Sequence, residues 1–264
     1  MHLGGGGVKI FSAAGAVRIV GWDRDSLLVR GHIARGERFT FTRAGNSIAG
    51  AVVLGVIDFA GVAVARPSTF TVYVPRTAKV SVKTARANID AHDASGWFFS
   101  VAGSVRLSGT ATSAEVESIS GDLDVDLNTA WVRARTGGGR VLLRGSPQDA
   151  DVSTVSGAMD IDAPALARGQ FASVSGNIHY DGAPAAGAIF DFSNHSGAVD
   201  LLLAHDASAV FPLTSVNGPI ENGRTAVRPI RTEPHSLRLE VGPGAAGAHV
   251  AVRTFRGAIR LRAQ

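Results

Sequence analysis

The chain has 264 residues, 45% hydrophobic and 18% charged, with 26 Lys and Arg against 22 Asp and Glu, 32 Gly and no Cys. That apolar content excludes global disorder, and the missing Cys excludes a disulfide framework, a thiolate zinc site and a Cys nucleophile. The net charge of +4 is spread along the chain with few aromatics beside it, which argues against a nucleic-acid partner.

Met1-His2-Leu3 and the glycines Gly4 to Gly7 carry neither a basic nor an apolar signal segment. Two locations follow: envelope or extracellular if a signal peptide was removed, cytoplasmic otherwise. The glycine run also lacks the Lys-Ser/Thr of a phosphate loop. Gly15-Ala-Val-Arg-Ile and then Leu27 to Arg30 read as strands separated by a turn, and Arg38 to Thr42 as one more. Ile48 to Ala65 is the most membrane-like stretch. Asp58 in its middle and Gly50, Gly55 and Gly61 through it predict buried strands, not a span. Residues 1–66 are expected to form an N-terminal cap with the opening strands, and 67–264 one continuous repeat domain.

The repeat is the strongest feature. Val116-Glu-Ser-Ile-Ser-Gly-Asp-Leu-Asp-Val125 aligns with Val152 to Ile161 and with Phe171 to Tyr180. The same frame recurs on Gly15, Ala87, Gly103, Gly139, Gly197, Gly218 and Gly257. From Ala87 to Gly218 the anchors are 16, 18, 18, 18, 19, 21 and 21 residues apart. A degenerate copy near Ser236 to Val241 is expected to fill the longer step to Gly257. Three residues before each anchor stands a small hydrogen-bonding residue: Ser12, Thr84, Ser100, Ser118, Thr136, Thr154, Ser173, Asn194, Ser215 and Thr254. Two residues after it the chain is always apolar.

Asp122-Leu-Asp-Val-Asp-Leu127 alternates with period two, the mark of a strand with one buried face. The inward set is Val116 and Ser118 before Gly121 but Leu123, Val125 and Leu127 after it. The buried face changes phase at the anchor, which predicts a sharp corner made possible by Gly. Such a unit must stack on its neighbours to bury its apolar face. The predicted fold is therefore all-β: a single-domain β-solenoid, a right-handed β-helix, with rungs of about 18–21 residues. A six-residue left-handed repeat does not fit.

The opening Gly15-x-Val-x-Ile with Gly21-Trp-Asp-Arg-Asp25 and Leu28-Val-Arg30, the segment Phe70-Thr-Val-Tyr-Val-Pro75, and the Ser/Thr-x-Ser-Gly corners at Gly121, Gly157 and Gly176 together resemble one known family. It is the bacterial adhesin-like family of unknown function, akin to the head-GIN adhesin-like domains. The resemblance covers essentially the whole chain. It implies a β-solenoid of the bacterial envelope and brings no catalytic residues with it.

Three residues after the anchor the column faces outward. If rungs stack in chain order, Asp160, His179, Asp200 and Glu221 are neighbours and could draw in a cation or polar ligand. The column equally fits a solvated face in which His179 relieves repulsion between two Asp, and the calcium nonapeptide is absent. Trp97, in Trp97-Phe98-Phe99, is the aromatic candidate for sugar stacking or core filling. Asn194-His195-Ser196 near Asp200 holds the residue types of a triad without a nucleophile elbow. The eight His show no paired zinc spacing. No catalytic residue, metal site or cofactor is assigned. The expected function is that of a non-enzymatic adhesin-like envelope or surface protein whose partners are a cell-surface glycan or an envelope protein. The alternatives are a β-helix that binds or cleaves a polysaccharide, and an intracellular scaffold that self-associates through its terminal rungs.

Overall fold

The computed structural model describes residues 7–43, 52–58, 67–164, 166–204, 207–223, 229–233, 235–241 and 247–263. Every regular element among them is a strand. Two compact units, residues 1–129 and 130–264, divide the chain. The first holds β1 (Val8–Ser12), β2 (Ala16–Trp22), β3 (Leu28–His32), β4 (Glu37–Arg43), β5 (Val52–Asp58), β6 (Thr69–Pro75), β7 (Lys79–Thr84), β8 (Asn88–His92), β9 (Ser95–Ser100) and β10 (Val105–Ser118). The division falls within β11 (Leu123–Thr136). The second unit continues with β12 (Val141–Thr154), β13 (Met159–Asp162), β14 (Arg168–Ser173), β15 (Ile178–Gly182), β16 (Ile189–Asn194), β17 (Val199–Leu203), β18 (Ala209–Ser215), β19 (Ile220–Asn222), β20 (Pro229–Glu233), β21 (Ser236–Val241), β22 (Ala248–Thr254) and β23 (Ile259–Ala263).

Strands before the anchors form one parallel ladder and strands after them another. In the first unit β7 pairs with β9 and β9 with the end of β10, while β8 pairs with the start of β10. In the second, β12 pairs with β14 and β14 with β16, and in the other ladder β12 pairs with β13, β13 with β15 and β15 with β17. Paired residues lie one repeat apart, as in Met159 beside Val141 and Ile178 beside Met159.

The order of layers departs from the order of the chain at two places. β1 lies between β5 and β7, and β2 between β6 and β8, all parallel. β22 likewise lies between β16 and β18, and β23 between β17 and β19. Antiparallel strands finish these stacks: β4 on β5, β3 on β6, and β21 on β18 with β20 beyond it. Ser236–Val241 is thus an antiparallel strand and not the degenerate parallel repeat expected there; Gly257 completes a layer seated directly on Gly197 instead. The expected strand at Arg38 to Thr42 lies within β4, and of the stretch Ile48 to Ala65 the described part is β5.

The interior follows the columns. Val116, Ser118, Leu123, Val125 and Leu127 are all buried, so the face does change phase at Gly121. The ten Ser, Thr and Asn of the column three before the anchor are buried without exception. In the second unit Phe171, Tyr180, Phe190, Phe192 and Phe211 fill the centre, with Phe171 and Phe192 stacked at 4.8 Å. Each such side chain contributes about 1.5–3 kcal/mol on burial.

Glycine is required at the corner for a reason other than φ. Of the anchors only Gly15 has a left-handed φ, 95°. At Gly103, Gly121, Gly157, Gly176, Gly197, Gly218 and Gly257 a methyl would overlap the carbonyl oxygen of the anchor stacked against it. The buried hydroxyl then closes the turn. Gly121 N–H donates to Ser118 Oγ (2.9 Å), and Ser118 Oγ donates to the Gly103 carbonyl (3.4 Å). The Asn194 carboxamide does the same between Gly197 and Gly176 (3.0 and 2.8 Å). Left-handed backbone appears instead six residues after the anchor, at Asp93, Gly109, Gly145 and Gly182. This second corner was hidden because Leu and Ala occupy the same position in other repeats.

Candidate functional site

The outward column three after the anchor is a ladder of charges. In the second unit its register runs Asp160, His179, Asp200, Arg260, Glu221. The first three are neighbours, as the spacing suggests. Glu221 is not next to Asp200, because β23 enters between β17 and β19 and brings Arg260 with it. Its guanidinium reaches Asp200 at 3.3 Å and Glu221 at 3.2 Å, and these carboxylates hold its proton more tightly than usual. Arg140 Nε sits 2.7 Å from Asp160. The acidic strip is therefore interleaved with cations, and among the described residues no group of three or more His, Asp or Glu is placed to hold a metal ion.

The same column in the first unit alternates outright: Arg18, Asp90, Arg106, Asp124. Arg18 is 3.6 Å from Asp90 and Arg106 is 2.9 Å from Asp124, with Asp90 and Arg106 in register between them. Trp97 also belongs to this unit. It is half-buried on β9, stacked on Phe99 at 5.7 Å with Lys83 Nζ 4.9 Å from its ring. Both aromatic side chains point outward, so Trp97 covers its neighbours and does not fill the core.

The residues that suggested a triad are each engaged elsewhere. Asn194 closes its corner, Ser196 Oγ donates to the Val174 carbonyl (3.1 Å), and His195 lies flat on Phe255 with ring centroids 5.0 Å apart. A Ser-His-Asp chain does occur at a place the sequence did not advertise. His92 Nδ1 is 3.1 Å from Ser108 Oγ and His92 Nε2 is 3.2 Å from Asp93 Oδ2. The repeat offset of 16 residues that puts Ser108 beside His92 was the available signal.

An imidazole between a hydroxyl and a carboxylate is the arrangement that activates a nucleophile. Here the carboxylate is already committed. Asp93 Oδ1 accepts from the Thr110 N–H (2.8 Å), and Oδ2 is also ion-paired with Arg76, which reaches Asp23 at 3.0 Å. Burial would raise the Asp93 carboxyl, but the Thr110 amide, Arg76 and His92 overcome it and hold the group below its ordinary value. The cluster thereby fastens three turns, those after β2, β6 and β8, to one carboxylate.

Parallel ladders one repeat apart, a buried hydroxyl column and an outward charge column define an all-β repeat protein. Residues 35–262 match the family model described as Toastrack DUF4097, and the chain belongs to that family. Two solved structures are similar over nearly the full length. One, from Bacteroides fragilis, is described as "a putative adhesin": 13% identity, 97% of this chain and 92% of that one, TM-score 0.49. The other, from Clostridium sporogenes, is described as "a putative cell adhesion protein": 10% identity, 100% and 96% coverage, TM-score 0.24. No curated protein matches the chain. No helix among the described residues is long and apolar enough to cross a membrane.

Proposed function

We propose that the protein is a non-enzymatic, adhesin-like component of the bacterial cell envelope or surface. We propose further that it is a right-handed β-solenoid with rungs of about 18–21 residues, residues 1–66 supplying the cap and opening strands and 67–264 the array. The parallel pairing at repeat offset supports the solenoid. One observation carries the functional reading: the outward charge column is closed on itself by pairs across the repeats, Arg106 with Asp124 and Arg260 with Asp200 and Glu221. Polar groups committed to one another in this way build a patterned surface rather than a reaction centre, and a patterned surface suits a glycan or an envelope protein as partner.

Fractionation of cells making the natural gene product, with N-terminal sequencing of the mature chain, tests this. The expected result is a processed N-terminus in the envelope fraction. An intact Met1 in the cytosol would overturn it in favour of a scaffold. Purified protein that shortens a polysaccharide would overturn the non-enzymatic part alone.

A further inference from the structure

The outward face of the first unit changes character where the repeats become irregular. There β3 lies antiparallel to β6 and brings side chains that no repeat supplies. Register aligns one residue from each of four strands: Asp90 of β8, Arg18 of β2, Thr71 of β6 and Arg30 of β3. Two residues along the same face, Asn88, Ala16, Thr69 and His32 form a second row. With strands spaced by about 4.8 Å, the Arg18 and Arg30 backbones stand about 10 Å apart with Thr71 between them.

Short side chains between long ones leave a hollow. A groove of about 450 Å³ lies over these rows, lined by Arg18, Arg30, Thr69, Thr71, Asn88 and Asp90. Gly31 lets β3 lie close against β6, since a side chain there would overlap the Phe70 backbone. On β6, two residues beyond Thr71 and outside the groove's lining, Tyr73 packs on Trp22 with ring centroids 5.3 Å apart, and the Arg24 guanidinium lies 5.2 Å from the Trp22 ring.

The charges in the groove do not cancel. Asp90 offsets Arg18 at 3.6 Å. Arg30 is exposed and has no ion-pair partner among the described residues. Asn88 Oδ1 already accepts from the Ser104 N–H (3.0 Å), which leaves its amide hydrogens to donate. Among the described residues the groove thus offers one guanidinium without an ion-pair partner, two threonine hydroxyls and an amide donor.

A guanidinium fork matches a carboxylate. Hydroxyl and amide groups at strand spacing match ring hydroxyls. A carboxylate carried on a hydroxyl-rich ring satisfies all of them together. We propose that this groove binds the uronate units of an acidic polysaccharide, with Arg30 taking the carboxylate and Thr69, Thr71 and Asn88 the ring hydroxyls. A neutral sugar leaves Arg30 unanswered, and an acidic peptide leaves the hydroxyls unused. This deepens the surface-protein reading and rests on it for the ligand's source. The binding itself is measured independently of location.

The full chain is titrated by calorimetry with trigalacturonate, its neutral methyl ester and triglutamate. Trigalacturonate is expected to bind at least tenfold tighter than either control. Arg30→Ala should lose about tenfold, the equivalent of 1.4 kcal/mol. Arg30→Lys should recover part of it, keeping the charge without the fork. Thr71→Val should weaken the acid and the ester alike. Circular dichroism and an unchanged Tm confirm that each variant folds. No binding by the folded protein, equal affinity for the ester or for triglutamate, or an unaffected Arg30→Ala would each overturn the proposal. Failure here with the protein in the envelope fraction removes only the uronate site; a cytosolic protein removes the surface reading and leaves the groove's affinity as measured.

Discussion

At the scale of residues, the corner divides chemically similar positions into those that matter and those that do not. Gly121→Ala drives a methyl into the Gly103 carbonyl, whereas Gly138→Ala meets only Ser156 Oγ at 3.7 Å. Overpacking costs about 1–3 kcal/mol, so denaturant unfolding should show that loss for Gly121→Ala and almost none for Gly138→Ala. The hydroxyl column divides in the same way. Ser118→Ala leaves the Gly121 N–H without its acceptor, a cost of about 1–3 kcal/mol for a buried group. Ser173 Oγ is buried with no hydrogen-bond partner among the described residues, so Ser173→Ala should be neutral or slightly stabilising. Equal losses in the two Ser variants would mean that the column acts through packing alone. The column itself was legible in the sequence, but which member was idle was not, because partner geometry is set by the neighbouring repeat. Asp93 adds a pH dependence. Its folded carboxyl sits below its unfolded value, so the stability it contributes is complete above the unfolded pKa, near 3.9, and is lost as pH falls through the folded one. Asp93→Asn should therefore flatten the acid limb of an unfolding profile below about pH 4.

At the scale of elements, what the sequence hid was the order of layers. Anchor spacing locates columns, and columns are identical from one repeat to the next. A layer made from residues 8–22 has the same hydroxyl, glycine and apolar positions whether it lies outermost or second. Only the pairing puts β1 and β2 between two layers, and β22 and β23 likewise. The consequence reached the candidate site: stacking in chain order leaves Asp200 against Glu221, and the inserted β23 separates them with Arg260. A strand hydrogen-bonded on both sides opens only with its neighbours. Amide exchange of β1 and β23 should therefore match that of β9 and β15, while the three-residue β19, bonded to β23 on one side, should exchange faster. Exchange of β1 or β23 at the rate of a frayed end would contradict the inserted order.

For the molecule as a whole, the question is whether a protein built of parallel strands goes on recruiting more of them. A stack of parallel layers ends in rows of unpaired N–H and C=O groups, and such rows template further strands. Here antiparallel strands cover three of the four outer strands: β4 on β5, β3 on β6 and β21 on β18. A second copy cannot continue a parallel ladder from an antiparallel edge without changing its hydrogen-bonding pattern. Charge strengthens the barrier, since β3 presents Arg30 and His32 and β4 includes Glu37 and Arg38. The net charge of +4 adds weak mutual repulsion between copies. The purified protein should remain monomeric by light scattering at high concentration and should not seed filaments on standing. Removing residues 23–43, which takes β3 and β4 together, should uncover β5 and β6 and produce concentration-dependent association if the shortened chain folds. Arg30→Val with Arg38→Val, which keeps both strands and removes two charges, should leave the monomer intact, because pairing geometry and not repulsion is the main barrier. Filaments from the unaltered chain would mean that the antiparallel edges do not block growth, and would bring the scaffold reading forward.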